Sequence, residues 1–482
     1  MKIEKLFPHI RLDSNVGNLE LRGISRDSRR VVQGDMFFII EGKSFDIFNA
    51  LKSIEDKVCV FLGEKKKKDI ISSFIKRKPI IYLEDIAGEF RRAVDLFYDY
   101  PQKSLNFIGI TGTNGKSTIA YLIYTLLMQL EGSASLIGTV NYYLKNRKVE
   151  SSYTTPDYLS LRKLFSLMRE DNNKYVVMEV SSHGINQERI QGIAFSQCVF
   201  TNLTRDHLDY HKTMKNYFTT KKELFLQNSQ AVSFINLDDV YGRRLLTEIK
   251  NKKITFAIKA NADFKARGIK ISKKGTEFIL DYRKVKFKVT TPLLGEHNVS
   301  NLLAVISSVV SLGIDLEAIL EFLPRLGAPC GRLEAIDKDV FVDYAHTPQA
   351  LEKVLYALKE AGYKKMICVF GCGGDRDRGK RPLMGEICSS LADFSIITSD
   401  NPRSESAYEI SCQIKEGFKK NNCSIILDRK EAISTALEMK KNQDCAVLVA
   451  GKGHEDYQIV GDKRVPFKDQ EVIRELLSKK SS

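Results

Sequence analysis

The chain has 482 residues, a length that predicts two to four domains rather than one. Hydrophobic residues at 43% and charged residues at 28% exclude both a largely disordered chain and a multi-span membrane protein. Lys and Arg number 75 against 60 Asp and Glu, a net charge of +15, which favours anionic partners (phosphates, nucleotides, nucleic acid or acidic surfaces) without choosing among them. The opening M-K-I-E-K-L-F-P-H-I-R-L-D holds no apolar run of signal-peptide length, and no stretch of about 20 apolar residues follows, so a cytoplasmic protein without a membrane span is expected.

In the first block, residues 1–101, the apolar runs at 36–40 and 58–62 read as strands between helices. The segment I-S-R-D-S-R-R-V-V-Q-G-D at 24–35 reads as a strand followed by a basic turn. The lysine run at 65–68, bounded by Glu64 and Asp69, reads as a solvated face, since it lacks interleaved aromatics for base stacking. The second block, 102–330, opens with a strand at 107–110, a glycine-rich turn and a helix at 118–130. Apolar runs at 175–180, 198–201 and 232–236 predict further buried strands, hence an α/β fold with a mostly parallel sheet. Between 253 and 289 the residues alternate around a turn at Gly275, which predicts antiparallel strands, and a helix is expected at 298–312. The third block, 331–482, places strands at 366–370, 394–398 and 446–450 among helical stretches and reads as a second, smaller doubly wound domain. Nine cysteines show no paired C-x-x-C spacing, with Cys368 and Cys372 closest, so reduced thiols are expected.

The strongest local signal is F-I-G-I-T-G-T-N-G-K-S-T at 107–118, between a strand and a helix. Glycines let backbone N–H groups turn around phosphate oxygens, and the helix N-terminus adds positive potential. Lys116 can reach β- and γ-phosphates, and Ser117 can ligate Mg²⁺. Five residues rather than four separate Gly109 from Gly115, a departure from the common phosphate-loop expression. Glu179, at the end of the strand at 175–180, stands where a carboxylate could hold Mg²⁺ beside that loop. Two His and two Asp fall within 203–211, compatible on spacing with a zinc cluster or with a capped loop. In the third block the loops G-C-G-G-D-R-D-R-G-K-R at 371–381, D-N-P-R at 400–403 and G-K-G-H-E at 451–455 all follow predicted strands and should meet at one sheet edge. They bring arginines and carboxylates together, a combination suited to a zwitterion.

The loop T-G-T-N-G-K-S-T at 111–118 resembles the nucleotide loop of the Mur ligase family, the ATP-dependent peptide-bond-forming enzymes of cell-wall synthesis, to which folylpolyglutamate synthetases are related. The shifted first glycine is usual in that family. E-V-S-S-H-G at 179–184 and N-L-T-R-D-H-L-D-Y-H at 202–211 resemble two more of its motifs. The resemblance implies a three-domain architecture: an N-terminal UDP-binding domain, a central P-loop ATPase-like domain and a C-terminal Rossmann-like domain for the amino acid. It implies ATP contacts from Gly112, Thr113, Asn114, Gly115, Lys116, Ser117, Thr118, Asn298, Asn301, Arg332 and Asp343. Mg²⁺ would be held by Ser117, Glu179 and His207, and by Lys221 once CO₂ has converted it to a carbamate, N6-carboxylysine. Lys116, Glu179, His207 and Lys221 form the implied catalytic set. Taken alone, Asn298 and Asn301 also fit a helix N-cap with an exposed polar neighbour.

Ser28 would touch the uridine diphosphate, and Thr154, Thr155, Ser181, Gln187 and Arg189 the muramyl-peptide. Departures from the family pattern are Tyr153 where Asn is frequent, Cys330 where Pro is usual, and G-K-S-F-D at 42–46 in place of D-G-x-x-F/Y. The D-N-P-R tetrapeptide resembles the signature of the diaminopimelate-adding members. It implies a pocket of Arg376, Asp400, Asn401, Pro402, Arg403, Gly451 and Glu455 in which Arg403 grips the distal carboxylate that lysine lacks. The expected reaction joins meso-diaminopimelate to the D-Glu γ-carboxylate of UDP-N-acetylmuramoyl-L-alanyl-D-glutamate through an acyl phosphate, with ATP and Mg²⁺, no nucleic acid and a monomeric chain. A Mur-type ligase adding L-lysine or another amino acid is the alternative within the class. An ATP-regulated nucleic-acid-binding protein is the alternative outside it, and would explain +15 and the phosphate loop but not the loops of the third block.

Overall fold

Four parallel strands, Gly23–Ser25, Asp35–Phe38, Val58–Glu64 and Ile80–Leu83, lie side by side in chain order and form the first sheet of the computed structural model, which describes residues 1–41, 46–145, 147–441 and 443–479. Alternate residues feed two cores. Met36, Phe38, Val60 and Leu62 pack with Phe90 and Ala93 of the helix Ile86–Phe97, while Phe37 and Phe61 pack with Leu51 and Ile71 on the other face. Burial on both faces explains why these strands read as continuous apolar runs. The lysine run stays at the surface, where Lys65 pairs with Glu84 and Lys67 with Glu41 and Glu64. Most of the divergent segment at 42–46 lies outside the described residues.

The central sheet has eleven strands. Its parallel part runs in the spatial order Lys253–Ala257, Val232–Asn236, Phe195–Phe200, Asn106–Thr111, Tyr175–Glu179, Ala134–Ile137. The strand Asn106–Thr111 thus lies between two parallel neighbours that end beside it and carry Glu179 and Thr201 to the same edge. The helix after it is Lys116–Glu131, slightly longer than the expected 118–130, and packs through Ile119, Ile123 and Leu126 against Leu302, Val305 and Ile306 of the helix Glu296–Ser311. The region 253–289 is only partly as expected. Lys253–Ala257 pairs parallel on both sides, and antiparallel pairing is confined to Phe264–Ser272, Gly275–Tyr282 and Val285–Thr291. Alternation reports which face is buried and carries no information on strand direction.

The third sheet runs Glu334–Asp337, Val340–Asp343, Cys445–Ala450, Lys365–Phe370, Phe394–Ile397, Cys423–Ile425, with only the first pair antiparallel. The loops after three of these parallel strands, at 371–379, 398–406 and 451–456, share its carboxyl edge, as the sequence predicts. A two-stranded ribbon, Tyr457–Val460 with Lys463–Pro466, folds over them. All nine cysteines are free thiols. Among the described residues no helix is long and apolar enough to cross a membrane.

One buried ion pair fixes the loop at 451–456. Arg429 and Asp469 are both fully buried and joined by two bonds of 2.7 Å, and Arg429 Nη2 also donates to the Ala450 carbonyl at 3.0 Å. Arg429→Met leaves the Asp469 carboxylate buried and unpaired, and urea unfolding should show a loss of about 3–5 kcal/mol.

Candidate active site

The glycine-rich turn is threaded between neighbours that only glycine permits. Gly112 has φ +146° and Gly115 φ +86°. A Cβ on Gly112 would stand 1.9 Å from Thr201 Oγ1, and one on Gly115 2.5 Å from Asn301 Oδ1. The Thr113 N–H donates to the Asn202 carbonyl at 2.9 Å and the Asn114 N–H to Asn202 Oδ1 at 3.0 Å. Lys116 folds back onto the loop and donates to the carbonyls of Gly112 (3.0 Å) and Thr113 (2.9 Å). Lys221, from the helix Met214–Leu226 and 1% exposed, donates to the same Gly112 carbonyl at 2.8 Å. Burial, reinforced by the Lys116 charge, holds the Lys221 amine well below the ordinary lysine range. Desolvation lowers Lys116 as well, against the pull of Glu179.

Glu179, 2% exposed, ends its strand directly over the helix N-terminus. Its Oε2 accepts from Ser117 Oγ (2.9 Å) and Thr139 Oγ1 (3.1 Å), and Oε1 accepts from the Thr139 N–H (2.7 Å). Thr139 Oγ1 is also 3.0 Å from Thr154 Oγ1. Thr155 Oγ1 donates to the Glu179 carbonyl at 2.9 Å and accepts from the Ser181 N–H, whose Oγ in turn caps a short helix at Gly184. Arg189 is pinned by Gln187 Oε1 (3.1 and 2.7 Å) and the Thr155 carbonyl (2.6 Å), with its guanidinium 5.1 Å from the Tyr153 ring centroid. His207 has φ +52°, is exposed, and meets His183 edge-on at 5.1 Å. Among the described residues no group of three or more His, Cys, Asp and Glu side chains could hold a metal, so the zinc reading of 203–211 is dropped. Ser117 and Glu179 instead present hard oxygen donors, and a Mg²⁺ site needs only one or two carboxylates completed by phosphate oxygens and water.

Around this loop Asn298 and Asn301 are both buried inside their helix. Asn298 donates to the Leu294 carbonyl at 2.8 Å and accepts from Asn301 at 3.0 Å, while Gly295 occupies the cap, which sets aside the N-cap reading. Their donors are taken up locally, and Asn301 Oδ1 faces Gly115. Arg332 lies over Tyr344 at 4.9 Å with its Nε buried and unpartnered. Buried Asp343 accepts the N–H groups of Leu333 (2.6 Å) and Ala345 (2.7 Å), and burial pushes its carboxyl up to about 6. Thr118 sits in the first helical turn, partly exposed.

In the third block Arg403 has φ +51° and donates to the Gly374 carbonyl at 2.7 Å. It crosses Gly373, where a Cβ would stand 2.8 Å from Nη1. Its loop is tied to the 371–381 loop by Glu405, which accepts two 3.0 Å bonds from fully buried Arg381 and the Asp375 N–H at 2.6 Å. The Pro402 carbonyl packs so close to Gly374 that a Cβ there would lie 1.9 Å away. Asn401 donates to Glu455 Oε2 at 2.9 Å, and Gly451, at φ +110°, lies against Asp400. Arg376 is exposed at the loop tip. Glu455, Tyr344 and Tyr457 line a cavity of about 230 Å³ whose other wall includes Thr139 and Asn141, so the amine loops and the Glu179 cluster face one space. Thr139 and Glu405 carry no motif signal and were not anticipated, and Arg381 closes the 371–381 motif without having been given a role.

A larger cleft of about 860 Å³ separates the first block from the second. Ser25, Arg26 and Arg29 line one side, and Tyr153, Gln187 and Arg189 the other. Ser28 lies in the one-turn helix Ser28–Arg30 but is not part of that lining. The flanking arginines were legible only as a basic turn.

The family models that match are the Mur ligase middle domain over residues 110–309 and the Mur ligase glutamate ligase domain over 331–453. The UDP-N-acetylmuramoyl-L-alanyl-D-glutamate--2,6-diaminopimelate ligase 1 of Clostridium acetobutylicum is 42% identical, with 99% of each chain covered. The corresponding ligase of Haemophilus influenzae is 39% identical over 98% of this chain and 100% of its own. A solved structure of a ligase of that name aligns over 100% of this chain and 99% of its own with a TM-score of 0.69 and 32% identity. MurF from Acinetobacter baumannii shares the fold, at a TM-score of 0.64 and 18% identity over 93% of this chain and 94% of its own.

Gly112→Ala forces the loop away from Thr201 and Asn202. Fluorescent ATP-analogue titration should show affinity weakened by at least about tenfold, with unfolding stability reduced by about 1–3 kcal/mol.

Proposed function

The chain belongs to the Mur ligase family, and from that membership we propose that it is the ATP-dependent amide ligase that adds meso-diaminopimelate to UDP-N-acetylmuramoyl-L-alanyl-D-glutamate in peptidoglycan precursor synthesis. The observation that carries this reading is the shared cavity between Thr139, a donor to Glu179 beside the phosphate loop, and Glu455 of the amine loops. It gives the activated carboxylate and the attacking amine a common place to meet.

In this reading residues 1–101 bind the uridine end, 102–330 bind ATP and 331–482 bind the amino acid. The 860 Å³ cleft takes the UDP-muramyl-dipeptide, with Arg189 and Gln187 directed at its peptide and the basic 26–29 turn at its phosphates. Ser28 lies in the same turn, between the lining residues Asp27 and Arg29, and is proposed to touch the uridine diphosphate. Gly112 to Thr118 cradle the ATP phosphates, and Asn298, Asn301, Arg332 and Asp343 border the nucleotide.

A carboxylate is a poor electrophile, and its approach to a γ-phosphoryl group sets like charges together. Lys116 offsets that repulsion once its two carbonyl contacts are exchanged for phosphate oxygens. Ser117 and Glu179, with His207, would hold Mg²⁺, which supplies charge neutralisation across the phosphates when bound. Transfer of the γ-phosphoryl group to the D-Glu γ-carboxylate gives an acyl phosphate. The amine attacks its carbonyl carbon, the C–O bond to phosphate breaks, and phosphate leaves with the amide formed. No protein nucleophile is required.

Lys221 fits conversion to a carbamate, because burial makes its neutral, CO₂-reactive form easier to reach, and the product is an anion where two amines now converge on one carbonyl. Arg403, on its Gly373 shelf, presents a guanidinium to the distal carboxylate of diaminopimelate, which favours that amine over lysine. The nucleic-acid alternative is set aside, since relatives matching the full length are named as ligases.

Phosphate release from ATP with UDP-muramoyl-dipeptide should depend on meso-diaminopimelate and yield a product of matching mass, while L-lysine leaves release at background. Release with lysine alone would retain the ligase and remove the role of Arg403. Arg403→Ala should raise KM for diaminopimelate by at least about tenfold, with KM for the UDP-substrate little changed. Depleting dissolved CO₂ should slow turnover reversibly, with bicarbonate restoring it. Lys221→Met should be slower by about 100-fold and insensitive to bicarbonate.

A further inference from the structure

One buried cation of the third block has no place in the assignments above. Lys452, in the loop after Cys445–Ala450, is fully buried. An ammonium removed from water must be given oxygen partners in exchange for its hydration. Here Nζ donates to Glu455 Oε2 at 3.1 Å and Asn401 Oδ1 at 3.4 Å, and stands 3.7 Å from Asp400 Oδ1. The Tyr457 ring lies 5.6 Å away.

These partners sit on two separate loops, and all three are residues assigned here to the amine pocket. Their bonding has a direction. Glu455 Oε2 is occupied by Lys452 and the Asn401 amide, while no bond to Glu455 Oε1 is found among the described residues. Asp400 Oδ1 is buried without a hydrogen-bond partner. Asn401 Oδ1 takes Lys452 and the Ile459 N–H, which orients its amide toward Glu455. Two carboxylates held this close repel without a cation between them. Burial and the Glu455 charge push Asp400 upward, and the charge of Lys452 leads the pull the other way.

We propose that Lys452 is a positioning residue for the incoming amine, a buried ammonium that locks Asp400, Asn401 and Glu455 into one constellation while leaving Glu455 Oε1 free for the substrate's ammonium group. This rests on the amide-ligase reading above. Lysine suits the place because three donors on a compact head reach oxygens on separate loops.

The test is steady-state kinetics of Lys452→Met in the full-length chain. The expected result is a KM for meso-diaminopimelate raised by about tenfold or more, with KM for ATP and UDP-muramoyl-dipeptide within about twofold of the unmodified enzyme. Lys452→Gln, which keeps an amide donor toward Glu455 and buries no charge, carries the same test should the methionine variant not fold. An unchanged KM for diaminopimelate in a folded variant overturns the inference, as does a parallel rise in all three KM values, which marks a merely structural role. An unmodified enzyme that turns over no amine overturns the ligase reading and this inference with it. One that uses diaminopimelate beside unaffected Lys452 variants overturns this inference alone.

Discussion

Two lysine amines from distant parts of the chain converge on the carbonyl oxygen of Gly112. The Thr113 carbonyl shares Lys116, and Thr111 Oγ1 and the Tyr217 ring lie beside Lys221, so both amines are held by neutral groups alone at a loop suited to anions. The rest of the central domain holds this arrangement in place. Thr201 and Asn202 at the end of one parallel strand, and Asn301 on a packed helix, fill the space a side chain at Gly112 or Gly115 would need. Tyr217, Phe218, Leu224 and Phe225 root the Lys221 helix in the core, so its amine cannot retreat to water. Burying that amine costs stability and lowers its proton affinity at the same time.

The same logic recurs in the third domain with the signs satisfied internally. Three buried cations brace the loops at this sheet edge: Arg381 beneath 371–379, bound to Glu405; Arg429 at the base of 451–456, bound to Asp469; and Lys452, within 451–456, between Asp400 and Glu455. Loops at a sheet edge lack ladder hydrogen bonds, and charge pairs shielded from water replace them with contacts of fixed geometry. A pocket for a zwitterion needs both signs presented at once. Buried cations that hold one set of loop atoms leave another set free for the ligand.

What the sequence reveals depends on whether the chemistry is contiguous. The phosphate loop was legible because cradling phosphates requires glycines, a lysine and a hydroxyl within a few residues at a strand–helix junction. The amine loops were legible as three strand-end motifs expected at one edge, which is where they lie. Thr139 was not, since a single threonine between two strands becomes a ligand of Glu179 only through sheet packing. Ser28 illustrates the converse: the basic turn at 24–35 was legible, yet which of its residues line the cleft, Ser25, Arg26 and Arg29 among them, was not. Asn298 and Asn301 looked equally like a cap, and only their burial against Leu294 and Gly115 decides the matter. Alternation in 253–257 suggested an antiparallel pair because pattern encodes burial and not direction.

The two domain junctions are built differently. Between the first block and the second, Arg162 is fully buried, bonded to Asp95 at 2.7 Å and to the Gln191 carbonyl, with Tyr158 donating to the same Asp95. Between the second and third, the ribbon Tyr457–Val460 and Lys463–Pro466 reaches across through Arg464 to Glu150 at 2.8 Å, with side chains 53% and 70% exposed. Exposed pairs of this kind contribute about 0–1 kcal/mol. That ribbon also clasps the backbone of Arg403, whose N–H donates to the Ile459 carbonyl at 3.0 Å and whose carbonyl accepts the Gly461 N–H at 2.8 Å. The ribbon beside Arg403 is thus one of several elements that meet the central block, together with Lys273 paired to Asp444 and with Leu294 and Ile271 packed into the third-block core. The second junction therefore combines buried apolar packing with exposed charge pairs, whereas the first is fixed by a buried guanidinium.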